Sequence, residues 1–141
     1  MSNIEEKYLE IKPEQFEKSK DLAQKISLIL DEKKAAQVKI LETTKQTIIA
    51  DYFVIATGTS STHIRSLAGE VEHQLKEESE LLPSRISGQE SNDWIILDYA
   101  SVLVHIFNSE AREYYKLEKL WGDGESTDIA GITEMLKLQE E

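Results

Sequence analysis

The sequence contains no cysteine. Disulfide bonds, zinc sites built on thiolates and cysteine nucleophiles are therefore excluded. The sequence also lacks any apolar run that approaches the ~20 residues of a membrane-spanning helix. The first six residues, MSNIEE, lack the basic and apolar pattern of a signal peptide. From these absences we expect a soluble cytoplasmic protein that has no membrane partner.

Basic residues are scarce, with 16 lysines and arginines against 27 acidic residues and a net charge of −11. Proteins that bind nucleic acids draw most of their affinity from basic side chains that displace counterions from phosphates. We therefore expect no direct nucleic-acid binding. The acidic balance favours a basic protein partner.

The 141 residues are enough for one domain but not for two independent cores. A segment typical of a flexible linker, GDGES, follows Trp121, and residues 122–141 carry six acids and one base. We predict a domain over residues 1–121 and an acidic C-terminal tail over residues 122–141. Apolar residues in the tail are spaced for a short amphipathic helix over residues 129–136.

Hydrophobic periodicity predicts the order α-β-β-α-β-β-β-α, in which the third strand is short. Several of the strands are apolar at every position, which indicates that both of their faces are covered. The predicted fold is therefore α/β, a mixed sheet of about five strands with helices on both sides. The helices are predicted near residues 13–34, 61–75 and 109–121. The strands are predicted near residues 38–40, 52–56, 85–86, 94–97 and 102–107.

The turn Gly58–Ser61 lies between a buried strand and a helix, a geometry that can hold a phosphate at the helix N-terminus. Neither the spaced glycines of a dinucleotide site nor the Gly-Lys-Ser/Thr of a P-loop is present. We interpret the segment as a tight turn with a serine cap. The alternative is a nucleotide-binding or nucleotidyltransferase-type enzyme that uses this turn.

Catalytic groups are otherwise hard to assemble. Nucleotidyl transfer needs clustered carboxylates for two magnesium ions, but Asp51, Asp93 and Asp98 are the only acids beside strands and form no Asp-x-Asp pair. His63 and His73 are ten residues apart on one predicted helix, which does not suit a metal site. We therefore predict no enzymatic activity, no metal and no cofactor.

Aromatic residues are concentrated in the last third of the predicted domain, where Trp94 and Tyr99 lie in a hairpin. On a helix continuing to residue 121, Tyr114, Leu117 and Trp121 share a face, and Tyr115 diverges from it. Since Trp and Tyr dominate binding hot spots, we expect an exposed member of this group to bind a partner.

His105 lies in the middle of a predicted strand, on the same face as Leu103 and Phe107. We interpret it as a buried, hydrogen-bonded histidine. The alternative is that it orders a binding surface.

Four segments together resemble the ribosomal silencing factor family, whose members are also called iojap-like proteins. The likeness spans roughly residues 13–121, in order and with the expected spacing. It is carried by DYFVIATGTSSTH at 51–63, DWIILD at 93–98, VLVHIF at 102–107 and REYYKLEKLW at 112–121.

The resemblance implies a nucleotidyltransferase-like topology without the catalytic carboxylates, and a role that is not enzymatic. It implies binding to the large ribosomal subunit through ribosomal protein number fourteen, which blocks joining of the small subunit and represses translation during starvation or stationary phase. Some family members form homodimers. A role in assembly of the large subunit shares the same partner, and the sequence does not separate it from silencing.

The resemblance also suggests which residues contact the partner, by position in the matching segments. One departure lies in the hairpin turn, where the family usually has Gly-Asp and this chain has Ala100-Ser101. If that turn requires a positive φ, alanine is strained there by on the order of 1 kcal/mol. The expected partner-binding residues are Trp94, Asp98, Tyr99, Ser101, His105, Tyr115, Glu118 and Trp121.

Overall fold

The helices and strands follow the predicted order, with one helix divided in two and one strand added. The computed structural model describes residues 13–44, 49–91, 93–120 and 126–128. No helix within these ranges is long and apolar enough to cross a membrane. The elements are α1 (Pro13–Glu32), β1 (Ala36–Glu42), β2 (Tyr52–Thr57), α2 (Ser61–Ser79), β3 (Arg85–Ser87), β4 (Trp94–Asp98), β5 (Val102–Phe107), α3 (Ser109–Tyr115), α4 (Leu117–Leu120) and β6 (Ser126–Asp128).

The strands form one mixed sheet in the order β3-β4-β5-β2-β1-β6. Strands β2 and β5 are parallel, and the other neighbouring pairs are antiparallel. The predicted mixed sheet with flanking helices is thereby confirmed, while the nucleotidyltransferase-like topology stays a prediction. Strand β6 was not predicted. It lies after residue 121, the predicted end of the domain, and pairs with β1. The domain boundary at residue 121 stays a prediction.

The sheet packs against a different layer on each face. Helices α1 and α2 cover the first face, where their apolar stripes meet the inward side chains of the central strands. Helix α3 and the short α4 lie on the second face, where Phe53, Ile55, Phe107 and Ala111 form a smaller core. Because β2 contributes to both cores, all six of its residues are buried, as its unbroken apolar run predicts.

The prediction of a single C-terminal helix from residue 109 to Trp121 is wrong. Helix α3 ends at Tyr115 because Lys116 adopts a left-handed conformation (φ 49°, ψ 50°), and its N–H bonds to the carbonyl of Arg112. The break lets Leu117 pack against the second core, whereas Tyr114 is 80% exposed. The predicted common face of Tyr114 and Leu117 is therefore also wrong.

The turn between β4 and β5 holds Ala100 at φ +67°, so the condition under which alanine is strained at this position is met. Asp98 supports this conformation because its Oδ1 accepts a hydrogen bond of 2.8 Å from the Ala100 N–H. Two earlier predictions, Trp121 and the tail helix over 129–136, lie outside the described residues.

Candidate interaction surface

The second face of the sheet brings together five aromatic rings, one of them an imidazole, that come from separate parts of the chain. Trp94 on β4 lies opposite Phe107 on β5, and their ring centroids are 4.7 Å apart. The ring of Tyr115 on α3 also lies 4.7 Å from the ring of Trp94. Beneath them, His105 is 4.8 Å from the ring of Phe53. Tilted contacts at such distances favour one arrangement of the rings.

A partly buried hydrogen bond fixes the orientation of the indole. The Nε1–H of Trp94 donates to Nδ1 of His105 over 3.1 Å. An indole nitrogen can only donate, so His105 is neutral and carries its proton on Nε2. The imidazole is 5% exposed, and burial lowers its pKa from 6.5 to about 4. The interpretation of His105 as a buried, hydrogen-bonded histidine is confirmed.

This neutral imidazole predicts a loss of stability in acid. Between pH 6.5 and about 4 the unfolded chain binds a proton at His105 that the folded chain does not, so the free energy of unfolding falls as the pH falls. Above pH 6.5 both states are neutral and the group adds no pH dependence. At about pH 5 the expected loss is about 2 kcal/mol.

Urea unfolding at about pH 7.5 and about pH 5 measures this loss, and the variant His105→Asn isolates it from the carboxylates. Asparagine keeps an acceptor near the position of Nδ1 but does not titrate. The variant should therefore lose less stability than the wild type over this interval. Equal losses would contradict the assignment.

The rings are continuous with half-buried side chains on neighbouring strands. Ile96 and Leu103 flank His105 on this face, and Asp98 lies at its end beside the turn. Tyr115 is 48% exposed at the opposite rim. We call these five residues the interaction face: Trp94, Ile96, Asp98, Leu103 and Tyr115.

Three of the predicted partner-binding residues lie elsewhere: Tyr99, Ser101 and Glu118. Tyr99 is 5% exposed and packs in the core of the first face, and burial raises the pKa of its hydroxyl to about 12. Ser101 is half-buried, and its carbonyl accepts bonds from the N–H groups of Asp51 (2.8 Å) and Tyr52 (3.2 Å). Tyr99 thus offers a partner almost no side-chain surface, and Ser101 serves to tie the turn to β2.

Glu118 is bound within the chain. Its carboxylate accepts hydrogen bonds from Arg112 Nε (2.6 Å) and Lys39 Nζ (3.2 Å). Burial raises the pKa of Glu118, but the bonds and charges of the two cations outweigh burial and hold it below its usual value. Sequence reasoning missed Arg112, which is 7% exposed and also donates from Nη1 to Thr57 Oγ1 over 3.0 Å. The six-residue spacing from Arg112 to Glu118 matches no helical pair, so no sequence pattern indicates this bond.

The turn at Gly58–Ser61 is confirmed as a capped turn. Ser60 is the N-cap of α2, and its Oγ accepts a bond of 3.0 Å from the N–H of His63. The His63 ring accepts from the N–H of Thr59 (2.9 Å) at Nδ1, and its Nε2 lies 3.0 Å from the carbonyl of Lys33. Two N–H groups that could hold a phosphate are therefore already bonded.

The acids beside the strands also have structural partners. Asp51 accepts from Ser19 Oγ (2.8 Å), and Asp93 accepts from Asn108 Nδ2 (2.9 Å). In the part of the chain that the structure describes, no three histidine or acidic side chains are grouped to hold a metal ion. The two-metal chemistry of nucleotidyl transfer finds no support in these contacts.

The comparisons with known proteins point to a single protein family. A family model described as ribosomal silencing factor during starvation matches residues 16–141. The chain is 36% identical over 103 residues to a ribosomal silencing factor of Halalkalibacterium halodurans, covering 73% of this chain and 87% of the relative. A crystal structure of a protein from Chromobacterium violaceum is similar with a TM-score of 0.67 and 31% identity, covering 76% of this chain and 86% of that one. A mouse protein, mitochondrial assembly of ribosomal large subunit protein 1, is 32% identical over 107 residues, covering 72% of this chain and 45% of that one.

Proposed function

Because the chain belongs to the ribosomal silencing factor family, which has a ribosome-associated silencing role, we propose that it binds the large ribosomal subunit and blocks joining of the small one. The contact is made through ribosomal protein number fourteen, and translation is thereby repressed during starvation or stationary phase. The protein acts in the cytoplasm by occupying a surface rather than by catalysis. It needs no metal or cofactor for this.

The observation that carries the proposal is the interaction face. Its aromatic and aliphatic side chains are half-buried or exposed, whereas most residues of the surrounding strands are buried. Such a patch, with a Trp ordered by neighbouring groups, has the composition of a binding hot spot. Asp98 supplies a carboxylate at its edge, and the chain as a whole carries a charge of −11. A basic ribosomal protein complements this charge, which speeds and orients encounter.

A second candidate function is a role in assembly of the large subunit, which the name of the mouse relative favours. Assembly and silencing use the same partner, so a binding measurement alone does not distinguish them. The two differ in whether joining of mature subunits is blocked.

Sucrose-gradient sedimentation of purified protein with ribosomal subunits, at near-physiological magnesium, tests the proposal. We expect the protein to co-migrate with the large subunit and the fraction of joined ribosomes to fall. Co-migration with normal joining would reject occlusion in favour of assembly. Protein that stays at the top of the gradient, with normal joining, would reject both roles.

The variant Asp98→Asn tests the charge at the edge of the interaction face. Asparagine keeps the Oδ1 acceptor for the Ala100 N–H, so the turn stays intact while the charge is lost. We expect binding to the large subunit to weaken by roughly 3- to 10-fold at low salt, and by less at high salt. The matched control is Glu77→Gln, which removes an exposed carboxylate from α2 and should bind as the wild type does. Equal effects of the two variants would remove Asp98 from the contact.

A further inference from the structure

A basic pocket of about 470 Å³ lies between β1 and the two C-terminal helices. Among the described residues, its charged lining comprises four cations and two carboxylates, in a chain whose net charge is −11. A local excess of positive charge on so acidic a protein attracts anions. The lining residues are Gln37, Val38, Lys39, Arg112, Glu113, Lys116, Glu118 and Lys119.

Two cations of the pocket already pair with a carboxylate of the chain itself. The Glu118 carboxylate is held by Arg112 Nε at 2.6 Å and by Lys39 Nζ at 3.2 Å. The hydrogen bonds and charges of these two cations hold the pKa of Glu118 below its usual value in spite of burial. The wall of the pocket therefore has the donors and the field that a bound anion needs.

Several donors in the same pocket remain unused. Arg112 is buried in its wall, and the Nη2 of its guanidinium has no hydrogen-bond partner. A buried donor left without a partner is costly. Lys116 and Lys119 are exposed at the pocket, and within the described ranges neither forms a salt bridge. The internal carboxylate thus leaves the ammonium groups of Lys116 and Lys119 without an ionic partner among the described residues, at exposed positions that a ligand can reach.

We propose that this pocket binds a small phosphorylated metabolite. Its phosphate pairs with Lys116 and Lys119 and competes with Glu118 for Lys39 and Arg112. A concave pocket of this volume is in the range of small-molecule sites. An extended RNA strand would instead be repelled by the acidic remainder of the chain. The pocket shares no residue with the interaction face, so the proposal is independent of ribosome binding.

The test titrates the full chain with inorganic phosphate and with pyrophosphate in a low-chloride buffer, followed calorimetrically. We expect saturable binding, with pyrophosphate tighter than phosphate because it carries more charge. The double variant Lys116→Ala/Lys119→Ala should weaken pyrophosphate binding by roughly tenfold or more. The matched control, Lys25→Ala, removes a cation that is paired with Glu78 on α2 outside the pocket, and should leave binding unchanged.

The variant Glu118→Gln should tighten pyrophosphate binding by roughly threefold or more, because the competing carboxylate is lost. Its control, Glu77→Gln, changes the net charge equally on α2 and should have no such effect. Circular dichroism establishes that each variant is folded. Absence of saturable binding, or equal losses in the pocket variants and Lys25→Ala, would overturn the proposal.

Two further ligands identify the source of the phosphate. Adenosine diphosphate that binds at least as tightly as pyrophosphate, with the same loss in the lysine double variant, supports a phosphorylated metabolite. A single-stranded RNA oligonucleotide that binds more tightly than either, with that same loss, would overturn the assignment to a small molecule.

Discussion

Replacing Trp94 with alanine is expected to weaken binding to the large ribosomal subunit by about 30-fold or more. The indole belongs to the interaction face, and its ring contacts both the ring of Phe107 and that of Tyr115. Its Nε1–H is bonded to His105, so its orientation is set before the partner arrives. A preordered aromatic group loses little entropy on binding, which is why its removal has a large effect.

The experiment compares variants by co-sedimentation with the large subunit. Leu82→Ala is the matched control, because Leu82 is an exposed apolar residue at 62% accessibility away from the interaction face. It should bind like the wild type. Tyr115→Ala, at the rim, should show a smaller loss than Trp94→Ala. Thermal unfolding of each variant separates lost contact from lost fold, and wild-type affinity in a folded Trp94→Ala protein would remove this face from the interface.

Replacing Gly88 with alanine is expected to cost roughly 2–4 kcal/mol of unfolding free energy. Gly88 has φ +83°, where a side chain is strained, and a Cβ there would lie 2.1 Å from the carbonyl oxygen of Trp94. Both obstacles are backbone features, so no side-chain rotation relieves them. The strand that carries Trp94 must shift instead, and ribosome binding should weaken with it.

Gly69→Ala is the control with the opposite sign. Gly69 is exposed within α2, and nothing lies within 4 Å of a Cβ at that position. Alanine there should stabilise the protein by about 1 kcal/mol, because glycine is a poor helix former. Urea unfolding followed by circular dichroism measures both variants. A Gly88→Ala protein as stable as the wild type would show that the turn rearranges freely.

The parts of the fold that sequence predicts well are those that a local pattern specifies. Strand β2 is apolar at nearly every position, and α2 carries the stripe Ile64, Leu67, Val71 and Leu75, all of which are buried. Ser60 caps α2 as its position suggests. In each case the residues that form the element also determine its burial.

The parts that sequence missed depend on distant partners. Lys116 ends α3 in a left-handed conformation. Glycine or asparagine usually occupies such a position, so a lysine there does not indicate the end of a helix. Strand β6 is Ser-Thr-Asp, and it forms through pairing with β1 rather than through any apolar pattern of its own. The opposite faces of Trp94 and Tyr99 are a different case, because side chains alternate along extended backbone and a spacing of five residues already places the two on opposite faces.

The candidate site, like the fold, could be predicted from the sequence only in part. The likeness of four segments pointed to the hairpin and to Tyr115, and the structure places Trp94, His105 and Tyr115 together. The basic pocket could not be predicted, because the bond from Arg112 to Glu118 requires the break at Lys116 between them. It also requires Lys39, a residue 79 positions earlier in the chain than Glu118.

Within the described residues, the strands at the two edges of the sheet, β3 and β6, comprise three residues each, and the longer strands lie between them. Short edge strands resist the edge-to-edge pairing that begins aggregation. Next to the residues that pair with β6, β1 contains a bulge at Gln37, with φ 51°, which interrupts the pairing pattern. A homodimer of this protein would therefore associate through a face of the sheet rather than by extending it. A fragment cut at residue 121 would lose β6 and leave β1 open to pairing with a second chain.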